Sequence, residues 1–352
     1  MKIGIITFHW ATNYGAILQA YALQTYLTEL GSEVEIINYR PRRNIFLQRL
    51  TWIRNREWGN FKKEKRLSLF RKNNLVVSAK RYGSNKALRS MKEKYDVIIS
   101  GSDQVWNLSF IQYAEPNKQT YSYYLDFVSG KTKKISYAAS FGTNNLPLDS
   151  KFNIREQLRS FNAISVREVT AKTIVEDLGL NAKVVVDPTL LLDVNKYELL
   201  CGSKKINDGM LVYKLHNKQN LFAKVEQLLS KKIKAYAVHS EMAISDWLIS
   251  IKSANLVLTN SFHGIVFSIL FKVPFINVLV EGSDMNDRII TLLSSLGLED
   301  RCIHTYDEEL IEEIRISSID WSKVAQKLEV LKGEAKEFLL SVIGENGAKC
   351  QR

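Results

Sequence analysis

Short apolar runs alternate with stretches of helical periodicity along most of the chain. Ile3–Phe8 is nearly all apolar, as expected of a strand buried on both faces of a parallel sheet. Ala16–Leu30 follows with Leu18, Ala22, Leu23 and Leu27 on one helical face, and Gly31 stops it. Glu33–Tyr39 completes a βαβ opening, for which a right-handed crossover is expected. Further strands are predicted at Tyr95–Gly101, Lys134–Ala139, Ala163–Val166 and Lys183–Val186, with a helix at Thr170–Leu178 ended by Gly179. Residues 193–208 are polar and carry Gly202, Asn207 and Asp208, which reads as a linker.

Beyond the linker a second α/β series begins. Its predicted strands are Met210–Leu215, Lys234–Val238, Leu256–Thr259 and Phe275–Val280; helices are predicted at Leu221–Leu229, Ile244–Ser253, Gly264–Phe271 and Asp287–Leu296. Trp321–Val342 is a long amphipathic pattern, expected to pack back across both domains. The expected organisation is therefore a Rossmann-like domain over 1–192 with a helical insertion at about 40–75, a linker over 193–208, a second Rossmann-like domain over 209–320, and a helix and tail over 321–352. Two such α/β halves imply a site in a central cleft that both face.

Composition adds little to this until charge is located. The 352 residues are 45% hydrophobic and 24% charged, as in ordinary globular proteins. The N-terminus enters a strand at once, with no signal-peptide pattern, and Ile265–Val280 is interrupted by Lys272, Pro274 and Asn277, too early for a membrane span. Cys201, Cys302 and Cys350 are widely spaced and odd in number, so no disulfide framework is expected and the cytoplasm is the default compartment.

The net charge is +12, and the segment from Arg40 to Lys72 carries twelve Lys/Arg against Glu57 and Glu64, or +10 of it. Phe46, Leu47, Leu50, Trp52, Ile53, Trp58, Phe61, Leu67, Leu69 and Phe70 are interleaved with these charges. A solvated helical pair packed on its domain is the plain reading. The functional one is peripheral contact of segment 40–72 with anionic lipid at the inner face of the cell membrane. No recognition motif accompanies the charge, so no nucleic-acid partner is expected.

Four constellations sit where ligands bind in open α/β sheets, at predicted strand ends. Asn13, Tyr14 and Gly15 lie between the first strand and its helix; the pattern is not GxGxxG and gives no dinucleotide signal. Gly101, Ser102, Asp103 and Gln104, continuing to Asn107, crowd a strand end with hydrogen-bonding groups suited to a sugar; helix capping by Ser102 and Asp103 is the alternative. Arg167 ends an apolar strand, where it needs a partner: an ion pair, or a substrate carboxylate or phosphate gripped bidentately. Asn260, Ser261, His263 and Gly264 lie at a strand-to-helix switch, pairing a titratable ring with an anion-favouring helix N-terminus. His9, His216 and His239 also follow predicted strands, and His304 reads as surface. No HExxH, DxD, GxSxG or Cys/His cluster is visible, so no metal or resident cofactor is expected, and acid–base work with anion binding fits better than covalent catalysis.

The ordered set of motifs resembles the polysaccharide pyruvyl transferase family. The pieces are Asn13 to Gln24, Gly101 to Asn107, Ser136 to Gly142 (including Ser140), Ser165 to Glu168, Asp187 to Leu191, and Thr259 to Gly264. The resemblance implies a fold like the two-domain glycosyltransferase B (GT-B) type. It also implies phosphoenolpyruvate as donor and a glycan or lipid-linked oligosaccharide as acceptor, with a cyclic pyruvate ketal formed in cell-surface polysaccharide biosynthesis. It makes His263 the general acid and Arg167 the holder of the donor, with the loop residues above binding substrate. Some members carry Arg-Leu-His where this chain has Ser261-Phe262-His263, leaving Arg167, Arg288 or Lys214 to replace that arginine. Other functions weighed on the same architecture are a sugar-nucleotide glycosyltransferase and a non-catalytic glycan- or membrane-binding protein.

Overall fold

The computed structural model describes residues 1–92, 94–111, 120–202, 208–215, 220–239 and 241–344. His216, Cys350, part of the expected linker (203–207) and the end of the tail lie outside them. The chain divides into two compact units, one of Met1–Leu192 with the chain from Leu331 onward, the other of Asp193–Val330.

The first unit is built on β1 (Lys2–Ile6), β2 (Glu33–Ile36), β3 (Val97–Ser100) and β4 (Lys133–Ser136), in the order β2-β1-β3-β4. All pairs are parallel, in registers such as Ile5↔Ile36, Ile5↔Ile99 and Ile99↔Ile135. A parallel pair, β5 (Ser165–Val166) and β6 (Lys183–Val184), continues beside β4 through bridges at Ile135↔Ala163 and Ala139↔Val166. Ile3, Ile5 and Ile99 are fully buried, which explains why these strands are continuous apolar runs rather than alternating ones. The strand order reverses between β1 and β3, and a reversal of this kind opens a crevice at the carboxyl ends of the two strands.

The second unit repeats the device with β7 (Met210–Tyr213), β8 (Ala235–Ala237), β9 (Leu256–Thr259), β10 (Phe275–Val278) and β11 (Cys302–Ile303). The order is β11-β10-β9-β7-β8, again all parallel, with Leu211↔Val257 and Ile276↔Leu258 in register. The reversal here falls between β7 and β9. The helix Phe262–Leu270 follows β9, and Trp247 and Tyr197 meet Phe267 of that helix edge-on at 5.3 and 4.9 Å. This packing fixes the helix against the sheet, and its first turn with it.

Several expectations shift in detail. Residues 193–208 are not wholly irregular, since Val194–Glu198 is a short helix capped by Asp193. The two-residue strand β11 was not anticipated. The helix expected from Gly264 begins at Phe262, with Ser261 as N-cap. The helix Trp321–Ile343 starts in the second unit and ends in the first. Within the first unit it is tied down by Lys133 Nζ donating to the Val342 carbonyl at 3.0 Å.

The basic segment forms two helices, Arg42–Arg54 and Trp58–Asn74. Trp52 and Leu67 are buried, whereas Phe46, Leu50, Ile53, Trp58 and Leu69 are exposed.

Candidate active site

In the second unit the polar residues after β9 are organised by buried hydrogen bonds. Thr259 Oγ1 donates to the Tyr213 carbonyl at 2.7 Å and accepts from the Ser261 amide at 3.0 Å. Asn260 Oδ1 accepts from the Leu215 amide at 2.7 Å, tying the end of β9 to the end of β7 across the point where strand order reverses. Ser261 caps the helix by accepting from the Gly264 amide at 3.4 Å. A Cβ at Gly264 would meet Thr259 Oγ1 at 2.6 Å and Tyr213 Cδ1 at 3.0 Å, so the helix can sit this close to the strand only with glycine there.

His263 therefore occupies the first turn of the helix, at the switch point, with 8% of its surface exposed. Its ring meets the Phe262 ring edge-on at 5.2 Å. Tyr213, buried beneath, is pushed up to about 12 by burial, with a hydrogen bond to Ser261 opposing the shift, so it stays a neutral phenol. Of the cations the sequence left to replace the missing arginine, Arg288 contacts the motif: its guanidinium carbon lies 5.7 Å from the Phe262 ring centroid. Lys214 instead lies over Phe222 at 5.0 Å. Arg288 stands in the first turn of the helix Asp287–Leu296. The arrangement combines an imidazole, the positive dipole end of a helix N-terminus and a guanidinium over the adjoining ring, which suits proton transfer to an anionic substrate.

In the first unit, the loops after β1 and β3 meet. Thr7 Oγ1 donates to the Ser102 carbonyl at 2.9 Å and accepts from Gln19 Nε2 at 2.8 Å. Gly101 eases that approach, because a Cβ there would meet Thr7 Cβ at 3.0 Å, tighter than ordinary van der Waals contact. Arg167 Nη2 donates to Ser102 Oγ at 2.5 Å and pairs with Asp187 Oδ2 at 3.1 Å. The Ser102 hydroxyl has one proton for two acceptors, the Ala138 carbonyl at 3.0 Å and Asp187 Oδ2 at 2.9 Å. Asp187 Oδ1 accepts from the Thr189 amide and hydroxyl at 2.9 and 2.5 Å. Three motifs distant in sequence thus converge on one buried carboxylate.

The capping alternative for Ser102 and Asp103 does not hold. Ser102 is fully buried in this network, and Asp103 has φ +85° with its Oδ1 accepting from the Gln104 amide at 2.9 Å. A non-glycine residue in that region is a strained position, of the kind that clusters at functional loops. Gln104 is buried, leaving Asp103 and Asn107 as the partly accessible polar groups of the loop. Ser140, also buried, bonds its carbonyl to the Trp106 amide at 3.1 Å and its Oγ to the Gly142 amide at 3.1 Å, joining the loops after β3 and β4. Asn13 caps the helix Tyr14–Glu29, its Oδ1 accepting from the Ala16 amide at 3.1 Å, and Tyr14 and Gly15 are buried in the first turn.

His9 does not serve as a proton donor near neutrality. It is fully buried, its Nδ1 lies 3.2 Å from the Thr7 carbonyl, and burial, with Arg40 and Arg71 nearby, pushes it down to about 3. His239 and His304 are exposed. Sequence reasoning missed the contribution of the basic segment: Glu64 accepts from Thr12 Oγ1 at 2.7 Å, and Lys63 Nζ lies 4.1 Å from the Tyr14 ring centroid. The density of aromatic and charged residues was visible; its docking onto the Asn13 loop was not.

The fold is that of GT-B type sugar enzymes. UDP-GlcNAc 2-epimerase from Methanocaldococcus jannaschii is 13% identical, with 91% of this chain and 93% of that chain covered at a TM-score of 0.55. S. aureus MnaA, solved with UDP, is 10% identical, with 98% of this chain and 97% of that one covered at a TM-score of 0.52. No curated protein sequence matches the chain. The chain belongs to the polysaccharide pyruvyl transferase family, whose model matches residues 13–282. Family and fold together mark it as a transferase-type enzyme.

Proposed function

We propose that the protein transfers pyruvate from phosphoenolpyruvate to a pair of sugar hydroxyls as a cyclic ketal, on a glycan or lipid-linked oligosaccharide. Beyond family membership, the observation that carries this reading is His263 in the first turn of a helix at the β7/β9 switch point, with Arg288 on the adjoining Phe262. Phosphoenolpyruvate is an anion whose methylene carbon must gain a proton before its neighbour becomes electrophilic. His263, as imidazolium, gives that proton. Arg288 and the helix N-terminus hold the carboxylate and phosphate and stabilise the charge that moves.

The steps balance as follows. The methylene takes the proton from His263 and becomes a methyl group, leaving an oxocarbenium-like carbon bonded to phosphate. A sugar hydroxyl adds there and loses its proton to the now neutral imidazole. The C–O bond to phosphate breaks, and a second hydroxyl closes the ketal, giving its proton to the departing phosphate.

Arg167 is the second proposed anion contact. Its charge is balanced by Asp187, so it would act through directed N–H groups rather than net charge. Asp103, Asn107 and the Asn13 loop are proposed substrate-binding groups of the first unit. Among the described residues no helix is long and apolar enough to cross a membrane. We place the protein in the cytoplasm and assign its membrane contact to the exposed apolar and basic residues of segment 40–72. Incubation with isotope-labelled phosphoenolpyruvate and an acceptor glycan tests the transfer reading. Label appearing in product supports it; label transferred only from a sugar nucleotide would favour a glycosyltransferase.

A further inference from the structure

The first unit holds a cleft that the pyruvyl chemistry above does not use. It encloses about 420 Å³ between loop 144–146, which follows β4, and one face of the helix Val169–Asp177. Small-ligand sites typically enclose about 300–1,000 Å³. Thr170, Thr173, Ile174 and Asp177, spaced three and four apart, form the helical wall. Lys151, in the first turn of the helix Leu148–Leu158, also lines the cleft. Leu146, Ile174 and Leu178 are buried and supply its apolar floor.

Both walls begin beside the loops assigned to substrate binding. Gly142 turns the chain after Ser140 at φ +62°. A Cβ on it would meet Asn107 Nδ2 at 2.6 Å and Gln104 Cδ at 2.8 Å, so its backbone lies directly on the loop after β3. Asn144 comes two residues later, a reach of about 7 Å at most. Thr143 Oγ1 donates to the Asn145 carbonyl at 3.0 Å and fixes that step. On the other wall, Thr170 stands three residues beyond Arg167. A ligand held at Asn107 needs only one further sugar ring to span this distance.

The lining groups suit such a ring. Among the described residues, the side chains of Asn145, Lys151 and Asp177 have no hydrogen-bond or ion-pair partner in the protein. Thr173 gives its hydroxyl proton to the Val169 carbonyl at 3.3 Å and keeps its oxygen as an acceptor. The cleft therefore offers an amide, an ammonium and a carboxylate around an apolar floor. Lys151 and Asp177 cancel in charge, which selects neither an anion nor a cation. A sugar matches both features, with hydroxyls that donate and accept around its edge and C–H groups on its face.

We propose that this cleft is a subsite for a neutral sugar of an oligosaccharide acceptor, next to the ring that receives pyruvate. Its link to an acceptor rests on the transfer reading; sugar binding in the cleft rests on these residues alone.

A printed array of neutral hexose and N-acetylhexosamine mono-, di- and trisaccharides, with sulfated counterparts, tests it on the full chain. Thr173 is exposed, so Thr173→Trp fills the cleft without entering the core. Wild-type protein is expected to hold at least one di- or trisaccharide about tenfold more tightly than the matching monosaccharide. Thr173→Trp should lose that gain and Thr173→Ser should keep it. Should the tryptophan variant not fold, Asp177→Arg, at the exposed end of the same helix, carries the same expectation. An equal gain in the folded cleft-filling variant overturns the subsite, as does the lack of any gain with length in wild type. Preference for the sulfated glycans overturns the neutral class. Calorimetry with phosphoenolpyruvate should give equal affinities for wild type and Thr173→Trp. Absence of that binding from both, with the array result intact, would count against the transfer reading alone.

Discussion

Arg167 Nη2 and Asp187 Oδ2 lie 3.1 Å apart, sealed from solvent, and share Ser102 Oγ as a common hydrogen-bond partner. This relationship turns three separate sequence motifs into one rigid support beneath the loops after β3, β4 and β6. It also bears on the role of Arg167, since a guanidinium already paired to a buried carboxylate is oriented before any substrate arrives.

Removing one partner of such a pair strands the other. Asp187→Ala is expected to lower the unfolding free energy by about 3–5 kcal/mol. Urea denaturation followed by circular dichroism measures this. An apolar replacement of both residues, Asp187→Leu with Arg167→Met, should recover part of the loss, because neither charge is then buried alone. A single variant as stable as wild type would show that the pair does not support the loops.

Arg288 should matter for donor binding and little for folding, as it is partly exposed on the first turn of its helix. Arg288→Gln is expected to raise KM for phosphoenolpyruvate about tenfold while kcat changes much less. Arg288→Lys should restore only part of the affinity, because a lysine lacks the planar fork that both stacks on Phe262 and binds an anion. Unchanged KM in the glutamine variant would remove Arg288 from the site.

The basic segment presents Phe46 (61% exposed), Ile53 (51%) and Trp58 (59%) beside its arginines and lysines. Co-sedimentation with vesicles containing anionic lipid should retain the wild-type protein at low salt, and uncharged vesicles should not. Phe46→Ser with Ile53→Ser should weaken the binding, and salt should weaken it too. Equal sedimentation of wild type and variant would dissociate these residues from lipid.

His9 makes a pH prediction. Its folded-state pKa, about 3, lies below the ordinary 6.5, so the unfolded chain binds the extra proton. The stability contributed by the neutral buried ring is present above pH 6.5 and is lost as pH falls toward 3, by at most about 1.4 kcal/mol per pH unit. His9→Asn, which offers an amide toward the Thr7 carbonyl, should flatten the stability profile in that window. Identical acid profiles for the two proteins would contradict the assignment.

What the sequence disclosed and what it withheld follow physical lines. Apolar runs such as Ile3–Phe8 and Leu256–Leu258 reveal buried parallel strands because both faces need hydrophobic cover. The glycine at position 264 and the polar residues before it marked the strand-to-helix switch that holds His263. Partners brought together by tertiary structure left no local signal: Asp187 reads as a strand breaker before Pro188, with nothing to say that Arg167 pairs with it. Glu64 and Thr12 are 52 residues apart, and no periodicity connects them. β11 has two residues, too few for any alternation to show. His9 stands at a strand end and is buried like His263, but complete burial with Arg40 and Arg71 nearby holds it neutral.

The most direct test of the account is phosphate release from phosphoenolpyruvate by His263→Ala, with its circular dichroism and melting temperature checked against wild type. Loss of a general acid at this position is expected to slow release by roughly 10²–10⁴-fold in a folded protein. Release at near wild-type rate by the folded variant would contradict the claim that the imidazole of His263 delivers the proton.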